Sequence, residues 1–259
     1  MFNQLILTAI PDFPLVNIGS DLGQMISEGL KRANIVPEQG DIVVIAQKVV
    51  SKAEGRTVDL NTVVPSSAAC ELAADTGKDP RVVELILVES KSVIRKKLGV
   101  IIVEHKRGWI MANAGIDASN VASNDGANNV LLLPLDPDRS AEKLRVALKQ
   151  RFGYDFGIVI SDSFGRPWRL GTTGVAIGAA GLPSLWDRRG DEDLFGRELK
   201  VTQLAVGDEV ATAASLLQGQ ASEGQPVVHL RGLNFHNHES ARSRPASDLI
   251  RDVSEDMFR

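Results

Sequence analysis

Cysteine is nearly absent from this chain of 259 residues, which contains Cys70 and no other. A single cysteine excludes a disulfide within the chain, so an apolar core must stabilise the fold. Cys70 lies in a run of small residues that predicts a helix, and we expect its side chain to face that core. With 43% hydrophobic residues, the chain has enough apolar material for one large domain or two closely packed ones.

An excess of positive charge is also absent. The chain has 29 basic and 33 acidic residues and a net charge of -4. Without a global positive field the protein does not attract nucleic acid or anionic lipid, so we expect neither as a partner. No apolar run is long enough to span a membrane. Residues 5–10 lack the basic flank of a secretory signal and are followed by Pro11 and Pro14, so we predict a cytoplasmic protein.

The common nucleotide-binding and hydrolase signatures are missing too. The sequence contains no G-x-x-x-x-G-K-[ST], no strand-linked G-x-G-x-x-G, no H-E-x-x-H and no G-x-S-x-G. Any nucleotide site in this protein must therefore be of a less common type, built from polar residues at the ends of apolar strands.

The helix and strand patterns that are present favour an α+β fold. Several predicted strands follow one another without an intervening helix, unlike a doubly wound parallel sheet. Asp79 and Pro80 are typical of a helix start and Gly219 of a helix end. Residues 162–200, rich in glycine and arginine, are predicted to be the least regular part. We predict strands near residues 4–9, 42–50, 100–104, 109–112, 157–161, 199–206 and 226–230, and helices near 21–33, 66–76, 80–90, 140–151 and 209–218.

Two polar segments directly follow predicted strands. Lys48, Lys52 and Arg56 carry charges suited to phosphate oxygens, although lysines also protect the edges of sheets. Asp117 lies in residues 113–120 with two asparagines, whose oxygens suit Mg²⁺ or Mn²⁺. The alternative is a turn in which these side chains bond their own backbone. The patterns alone leave both choices open.

In a third segment, Asp162 and Ser163 come shortly after the fully apolar run 157–160. Asp162 and Asp117 together could hold a cation, while Arg166 and Arg169 could bind phosphate or carboxylate. The alternative is a strand cap with arginines stacked on Trp168. The polar loop 218–226 is by itself typical of a surface turn, and residues 236–239 favour a solvated loop over a zinc site.

Five segments taken together resemble the coenzyme F420-0:L-glutamate ligase family in order and spacing. The resemblance covers nearly the whole chain, and residues 248–259 resemble the ending of bacterial members. It implies an α+β fold of two closely packed lobes within residues 1–259, with mixed and antiparallel sheets, working as a homodimer. The five segments are residues 51–56, 113–120, 133–138, 161–166 and 193–199.

The resemblance also implies an activity, the GTP-dependent addition of L-glutamate to coenzyme F420-0 through an acyl phosphate, giving F420-1 and often longer γ-linked tails. GTP would be the co-substrate, with two Mg²⁺ or Mn²⁺ ions and K⁺. Carried over position by position, the metal ligands would be Asp117, Asp162, Ser163 and Gln220, and the catalytic residues Asp117, Asp162 and Lys52. The nucleotide contacts would be Phe13, Pro14, Leu15, Gln47, Lys48, Lys52, Asn120, Gln218, Gly219, Gln220, Ala221, Ser222, Glu223, Gly224 and Gln225.

Some roles and some functions stay open at this stage. Trp168 or Trp186 either stacks on a ligand ring or anchors the core. Three other functions fit the same residues: a nucleotide-binding regulator without catalysis, a ligase for another acid and amine, and a metal-dependent phosphohydrolase. The candidates for binding the coenzyme phosphodiester and the glutamate carboxylates are Arg166, Arg169, Arg188 and Arg189.

Overall fold

The computed structural model describes residues 4–117, 128–233, 235 and 240–257. Its α-helices are α1 (Leu22–Arg32), α2 (Gln47–Ala53), α3 (Ser67–Thr76), α4 (Pro80–Val88), α5 (Pro137–Phe152) and α6 (Val206–Gln218). Its strands are β1 (Ile6–Ala9), β2 (Ile42–Ala46), β3 (Thr57–Asp59), β4 (Ser90–Lys97), β5 (Val100–His105), β6 (Ile110–Ala112), β7 (Asn129–Leu131), β8 (Gly157–Arg166), β9 (Arg169–Ala180), β10 (Trp186–Asp187), β11 (Gln203–Leu204) and β12 (Val227–Arg231). The predicted α+β class is confirmed.

The largest sheet has the strand order β1-β12-β2-β8-β9, in which β2 and β8 are parallel and the other neighbours antiparallel. Side chains alternate across its strands. Val43, Ile45, Ile158 and Ile160 pack with α1 and α5 on one face. The residues between them, such as Val44 and Val159, pack with α6 on the other face, so the sheet is buried on both sides.

A second, smaller core lies beside a three-stranded antiparallel sheet with the order β4-β5-β6. Leu72, Val83, Ile86 and Ile101 are among its buried residues, which come from α3, α4 and β5. Asp79 accepts a hydrogen bond from the Arg81 backbone N–H, with Pro80 at the first position of α4, as the sequence predicts. Among the described residues, no helix is long and apolar enough to cross a membrane.

Several predicted elements are wrong in extent. The predicted strand 42–50 ends at Ala46, and residues 47–53 form α2 instead. The predicted strand 199–206 is reduced to Gln203–Leu204, because α6 already begins at Val206. Cys70 is exposed rather than core-facing, since the buried face of α3 passes through Ala69, Leu72 and Ala73.

The region predicted to be least regular contains the longest hairpin of the protein, β8 and β9. Two of its glycines have packing roles: a Cβ on Gly174 would overlap the Ala211 carbonyl of α6, and one on Gly178 would overlap Pro137 of α5. Glycine therefore lets both helices lie directly against the edge strand β9. The glycine-rich pattern indicated close backbone approach, which the structure shows to be an approach of helices.

Candidate functional site

A cavity of about 500 Å³ opens where β2 ends and its pairing with β8 stops. Parallel strands end at the same edge of a sheet, and the pairing of Ala46 with Ser161 places the next residues of both strands side by side. Beyond Ala46 the chain turns into α2, and beyond Ser161 it continues as Asp162 and Ser163 along β8. Clefts at strand ends of mixed sheets are common ligand sites.

The cavity brings together the candidate metal ligands and, among the described residues, the candidate nucleotide contacts. One wall is the chain before α1, another is α2, a third is the start of the β8–β9 hairpin, and the last is the loop after α6. Its lining includes Phe13, Pro14, Leu15, Gln47, Lys48, Lys52, Asp117, Asp162, Ser163, Gln218, Gly219, Gln220, Ala221, Ser222, Glu223, Gly224 and Gln225. Asn120, predicted to contact the nucleotide, lies outside the described residues, as do residues 236–239.

Asp162 is the most electrostatically perturbed group of this cavity. Burial raises the pKa of its carboxyl group to about 6, although the Ser163 backbone N–H donates to Asp162 Oδ1 at 2.8 Å. The positive charge of Lys48 lowers this pKa and the negative charge of Asp117 raises it. Ionised Asp162 is therefore only partly compensated, which is typical of functional sites.

Lys48 pairs with Asp117 and acts on Asp162 through its charge. Its Nζ lies 2.7 Å from Asp117 Oδ2, and both side chains are about one-third exposed. Lys52 lies one helical turn further along α2, on the same face of the helix as Lys48. Burial, followed by the repulsion from Lys48, lowers the pKa of the Lys52 ammonium. Two neighbouring cations of this kind favour a polyanion between them.

The donor set fits a hard divalent cation. Asp117 and Asp162 offer carboxylate oxygens, Ser163 a hydroxyl and Gln220 an amide oxygen, and all four residues line the same cavity. Within the described part of the chain, no three His, Cys, Asp or Glu side chains form a metal-binding group. Two carboxylates suit an ion that takes its remaining ligands from phosphate and water, as Mg²⁺ commonly does.

The sequence placed Gln47, Lys48 and Lys52 at a strand end, whereas they lie on the helix α2. Gln47 is buried, and its Oε1 accepts a hydrogen bond from the Ser51 hydroxyl at 3.0 Å. Val49 and Val50 pack into the main core, which fixes the orientation of α2, and Val49 also lines the cavity beside Lys48. Residues 47–50 were predicted as part of a strand because the length and β-branched content of this run fit a strand as well as a helix.

The loop after α6 closes the cavity and is largely exposed from Gln220 to Gly224. Gln218 anchors it: Gln218 Oε1 accepts from Ser161 Oγ at 3.2 Å, and Gln218 Nε2 donates to the Pro226 carbonyl at 3.2 Å. Within the loop, Glu223 Oε2 accepts the Ala221 N–H at 2.8 Å. The start of the loop is thus fixed to the sheet, while its middle lies in solvent.

Other cavity residues were not identified from the sequence. Val16, Ser161, Gly174 and Ser215 also line the cavity. Ser161 is buried at the polar end of an otherwise apolar strand, and that change from apolar to polar was the available signal. Phe13 and Val16 pack against the main core, whereas Leu15 between them is 90% exposed at the rim.

The four candidate arginines do not line this cavity. Arg188 pairs with Asp191 and lies 4.7 Å over the Trp186 ring, and Arg189 pairs with Asp187 at 2.5 Å. Trp186 is buried and donates its indole N–H to Ser240 Oγ at 3.1 Å, so it anchors the core. Trp168 is 83% exposed at the tip of the β8–β9 hairpin, with Arg166 and Arg169 on either side.

Comparison with known proteins gives a consistent result. Residues 12–232 match the family F420-0:Gamma-glutamyl ligase. The chain is 48% identical over 244 residues to the coenzyme F420:L-glutamate ligase of Methanopyrus kandleri, covering 94% of this chain and 93% of the relative. It is 46% identical to the protein of that name from Methanocaldococcus jannaschii, over 86% of each chain. A third relative of that name, from Methanothermobacter thermautotrophicus, is 44% identical over 98% of each chain.

Proposed function

The chain belongs to the F420-0:gamma-glutamyl ligase family and is an enzyme of the ligase class, and from that premise we propose that it joins L-glutamate to coenzyme F420-0 with cleavage of GTP. The observation that supports this proposal is the single cavity in which two carboxylates, two lysines and a glycine-containing loop meet. Its volume lies within the range of about 300–1,000 Å³ usual for ligands the size of a nucleotide.

The reaction proceeds in two steps. A carboxylate is a poor electrophile, so a carboxylate oxygen of F420-0 first attacks the γ-phosphorus of GTP, the bond to the β-phosphate oxygen breaks, and GDP leaves. The amine of L-glutamate then attacks the acyl carbon of the acyl phosphate, and phosphate departs with the C–O bond electrons. No protein nucleophile is needed in either step, so the residues act by positioning and by charge.

Each wall of the cavity has its own task in this proposal. Lys48 and Lys52 bind phosphate oxygens, and Asp117, Asp162, Ser163 and Gln220 hold the divalent cations. A bound cation supplies Lewis-acid stabilisation of charge on the transferring phosphoryl group. Phe13, Pro14 and Leu15 contact the nucleoside from one side. The loop 218–225 closes over it from the other side and excludes water.

Finer features extend the proposal. We expect two Mg²⁺ or Mn²⁺ ions, a K⁺ requirement, γ-linked glutamates beyond the first, and action in the cytoplasm as a homodimer. The tip of the β8–β9 hairpin supports dimerisation, because Trp168 and Leu170 are 83% and 98% exposed and β9 is an edge strand. Sedimentation of the protein and of Trp168→Asp tests this feature: a dimer that dissociates in the variant supports it, and a monomeric native protein contradicts it.

The test of the activity is mass spectrometry of F420-0 incubated with the protein, L-glutamate, GTP and either Mg²⁺ or Mn²⁺. Parallel reactions replace GTP with ATP and K⁺ with Na⁺, and Asp162→Ala is the inactive control. We expect added glutamate masses that require GTP and vanish in the variant, and their number gives the tail length. GTP binding without any modification of F420-0 would contradict the proposal and favour a regulator. GTP hydrolysis without ligation would favour a phosphohydrolase.

A further inference from the structure

A second, smaller cavity of about 200 Å³ lies beside the one already described. Four parts of the chain enclose it: the turn into β6, the middle of the β8–β9 hairpin, the start of α6, and the segment 246–256. Its walls are mainly aromatic and aliphatic, with charged groups of both signs. The residues that matter for the argument are Trp109, Phe164, Val175, Asp208, Ile250 and Arg251.

The two cavities are lined by the same two segments. Phe164 follows Asp162 by two residues on β8, so both side chains project from the same face, about 7 Å apart along the strand. Val175, which also lines the smaller cavity, is the cross-strand partner of Asp162. Ile110 lines the smaller cavity on β6, and the chain then leads through a 3-10 turn to Asp117. A molecule in the smaller cavity therefore lies near Asp162.

Asp256 and Asp208 are the carboxylates of this cavity, and Asp208 lies in the first turn of α6. Its Oδ1 accepts the Ala176 backbone N–H at 2.9 Å, and burial raises the pKa of its carboxyl group. The neighbouring charge of Glu209 raises this pKa further. Within the described ranges no Lys, Arg or His forms an ion pair with Asp208. A partly buried carboxylate on a cavity wall without a cationic partner favours a cationic ligand.

We propose that the smaller cavity binds the amine substrate of the ligation, an α-amino acid whose ammonium group pairs with Asp208. This inference rests on the proposed function. The cavity is smaller than the range of about 300–1,000 Å³ for larger ligands, which excludes an aromatic coenzyme but suits an amino acid. Trp109, Phe164 and Ile250 contact its methylene groups.

The other end of the amino acid has a counterpart as well. Arg251 is exposed at the edge of the cavity, where its guanidinium can bind a carboxylate in bidentate geometry. Bound in this way, the ammonium loses one proton to water before the amine attacks the acyl carbon. The C–N bond forms as the C–O bond to phosphate breaks, and the second proton passes to the departing phosphate.

The test uses Asp208→Asn in the full-length protein, because asparagine keeps the shape and an acceptor oxygen for the Ala176 N–H. Glu209→Gln is the matched control, since it removes the adjacent, exposed charge on α6 outside the cavity. We expect KM for L-glutamate to rise about tenfold or more in Asp208→Asn, with KM for GTP and kcat unchanged. Calorimetric titration of L-glutamate should show the same loss of affinity, and Glu209→Gln should behave as the native protein.

A second variant protects the test against a folding defect. Arg251→Gln changes an exposed side chain and should raise KM for L-glutamate about threefold, again without changing KM for GTP. The proposal is overturned if both variants bind L-glutamate as the native protein does, or if they change kcat or KM for GTP instead. Absence of ligation by the native protein would contradict the proposed function itself. Normal ligation with unchanged glutamate affinity in the variants would contradict only the amino-acid site.

Discussion

Two aspartates, Asp41 buried and Asp162 partly buried, lie at opposite ends of the same pair of parallel strands and have opposite electrostatic surroundings. Asp41 precedes β2 and is 1% exposed. Arg231 donates to both of its oxygens at 2.7 Å, the Glu38 N–H donates at 2.9 Å, and His229 Nε2 lies 2.9 Å away. These partners outweigh the cost of burial and hold the pKa of Asp41 far below its usual value. Asp162, at the other end, has a pKa raised to about 6.

The difference shows how structure and function divide between the two ends of the sheet. At the Asp41 end, donors from β12 and from the preceding turn satisfy the carboxylate, so it fastens strands together. At the Asp162 end, the carboxylate keeps part of its charge uncompensated and faces a cavity. A carboxylate whose hydrogen-bonding and ionic partners are complete stabilises the fold. One whose partners are incomplete is suited to bind a ligand.

The largest expected effect is at Asp162. Asp162→Asn should lower the ligation rate about 10³-fold or more, because a neutral amide holds a divalent cation poorly. The same substitution should raise the thermal midpoint of the metal-free protein by about 2–4 °C at pH 7. Mass spectrometry of the products and calorimetry in a chelator measure the two effects.

The sign of that stability change depends on pH. The folded-state pKa of Asp162 lies above its value of 3.8 in the unfolded chain, so ionisation destabilises the fold as pH rises from about 4 to 6. The gain in Asp162→Asn should therefore be absent at pH 4 and complete above pH 6. A gain that is the same at both pH values would contradict the assignment of an uncompensated carboxylate.

Asp41→Asn should destabilise the fold and leave catalysis unchanged. It leaves Arg231 without its buried partner, and we expect a loss of about 3 kcal/mol in the free energy of unfolding with kcat unchanged at 25 °C. Because the folded-state pKa of Asp41 is lowered, its contribution is complete above the unfolded-state pKa and is lost as pH falls below it. Urea titrations at pH 7 and pH 3 check this: the difference between variant and native protein should shrink at pH 3.

A smaller effect is expected at the anchor of the loop. Gln218 bonds to Ser161 and to the Pro226 carbonyl, so we infer that it holds the loop on the sheet rather than contacting the nucleotide. Gln218→Ala should raise KM for GTP up to about tenfold and leave binding of L-glutamate unchanged. Faster proteolysis of the loop in the nucleotide-free variant would support an anchor. Unchanged proteolysis with weaker GTP binding would instead indicate direct contact.

The smallest effect concerns Lys48, which is paired with Asp117. A divalent cation must displace this ammonium group, so Lys48→Met should bind Mn²⁺ about threefold more tightly without nucleotide. Lys52→Met, which removes an equal charge one turn away, should change the affinity less. Titration of Mn²⁺ followed by electron paramagnetic resonance measures both. Weaker binding in Lys48→Met would show that Lys48 does not compete with the metal.

Sequence reasoning found the site better than it found the elements around it. The candidate residues Gln47, Lys48, Lys52, Asp117, Asp162, Ser163 and 218–225 line one cavity, and their roles stay predictions. The element types near them were partly wrong, because Val49 and Val50 fit a strand as well as the buried face of α2. The regular hairpin in residues 157–180 was missed because glycines that accommodate α5 and α6 resemble loop glycines.

The sequence by itself determined the local features: the helix start at Asp79, the apolar strand residues 42–46 and 157–160, and the family. These depend on neighbours a few residues away. Only the tertiary structure decided which of the two aspartates has its charge compensated by partners. The partner of Asp41 is Arg231, 190 positions along the chain, and Asp162 has no donor of that kind. A pKa depends on distances in space, and the order of residues does not fix those distances.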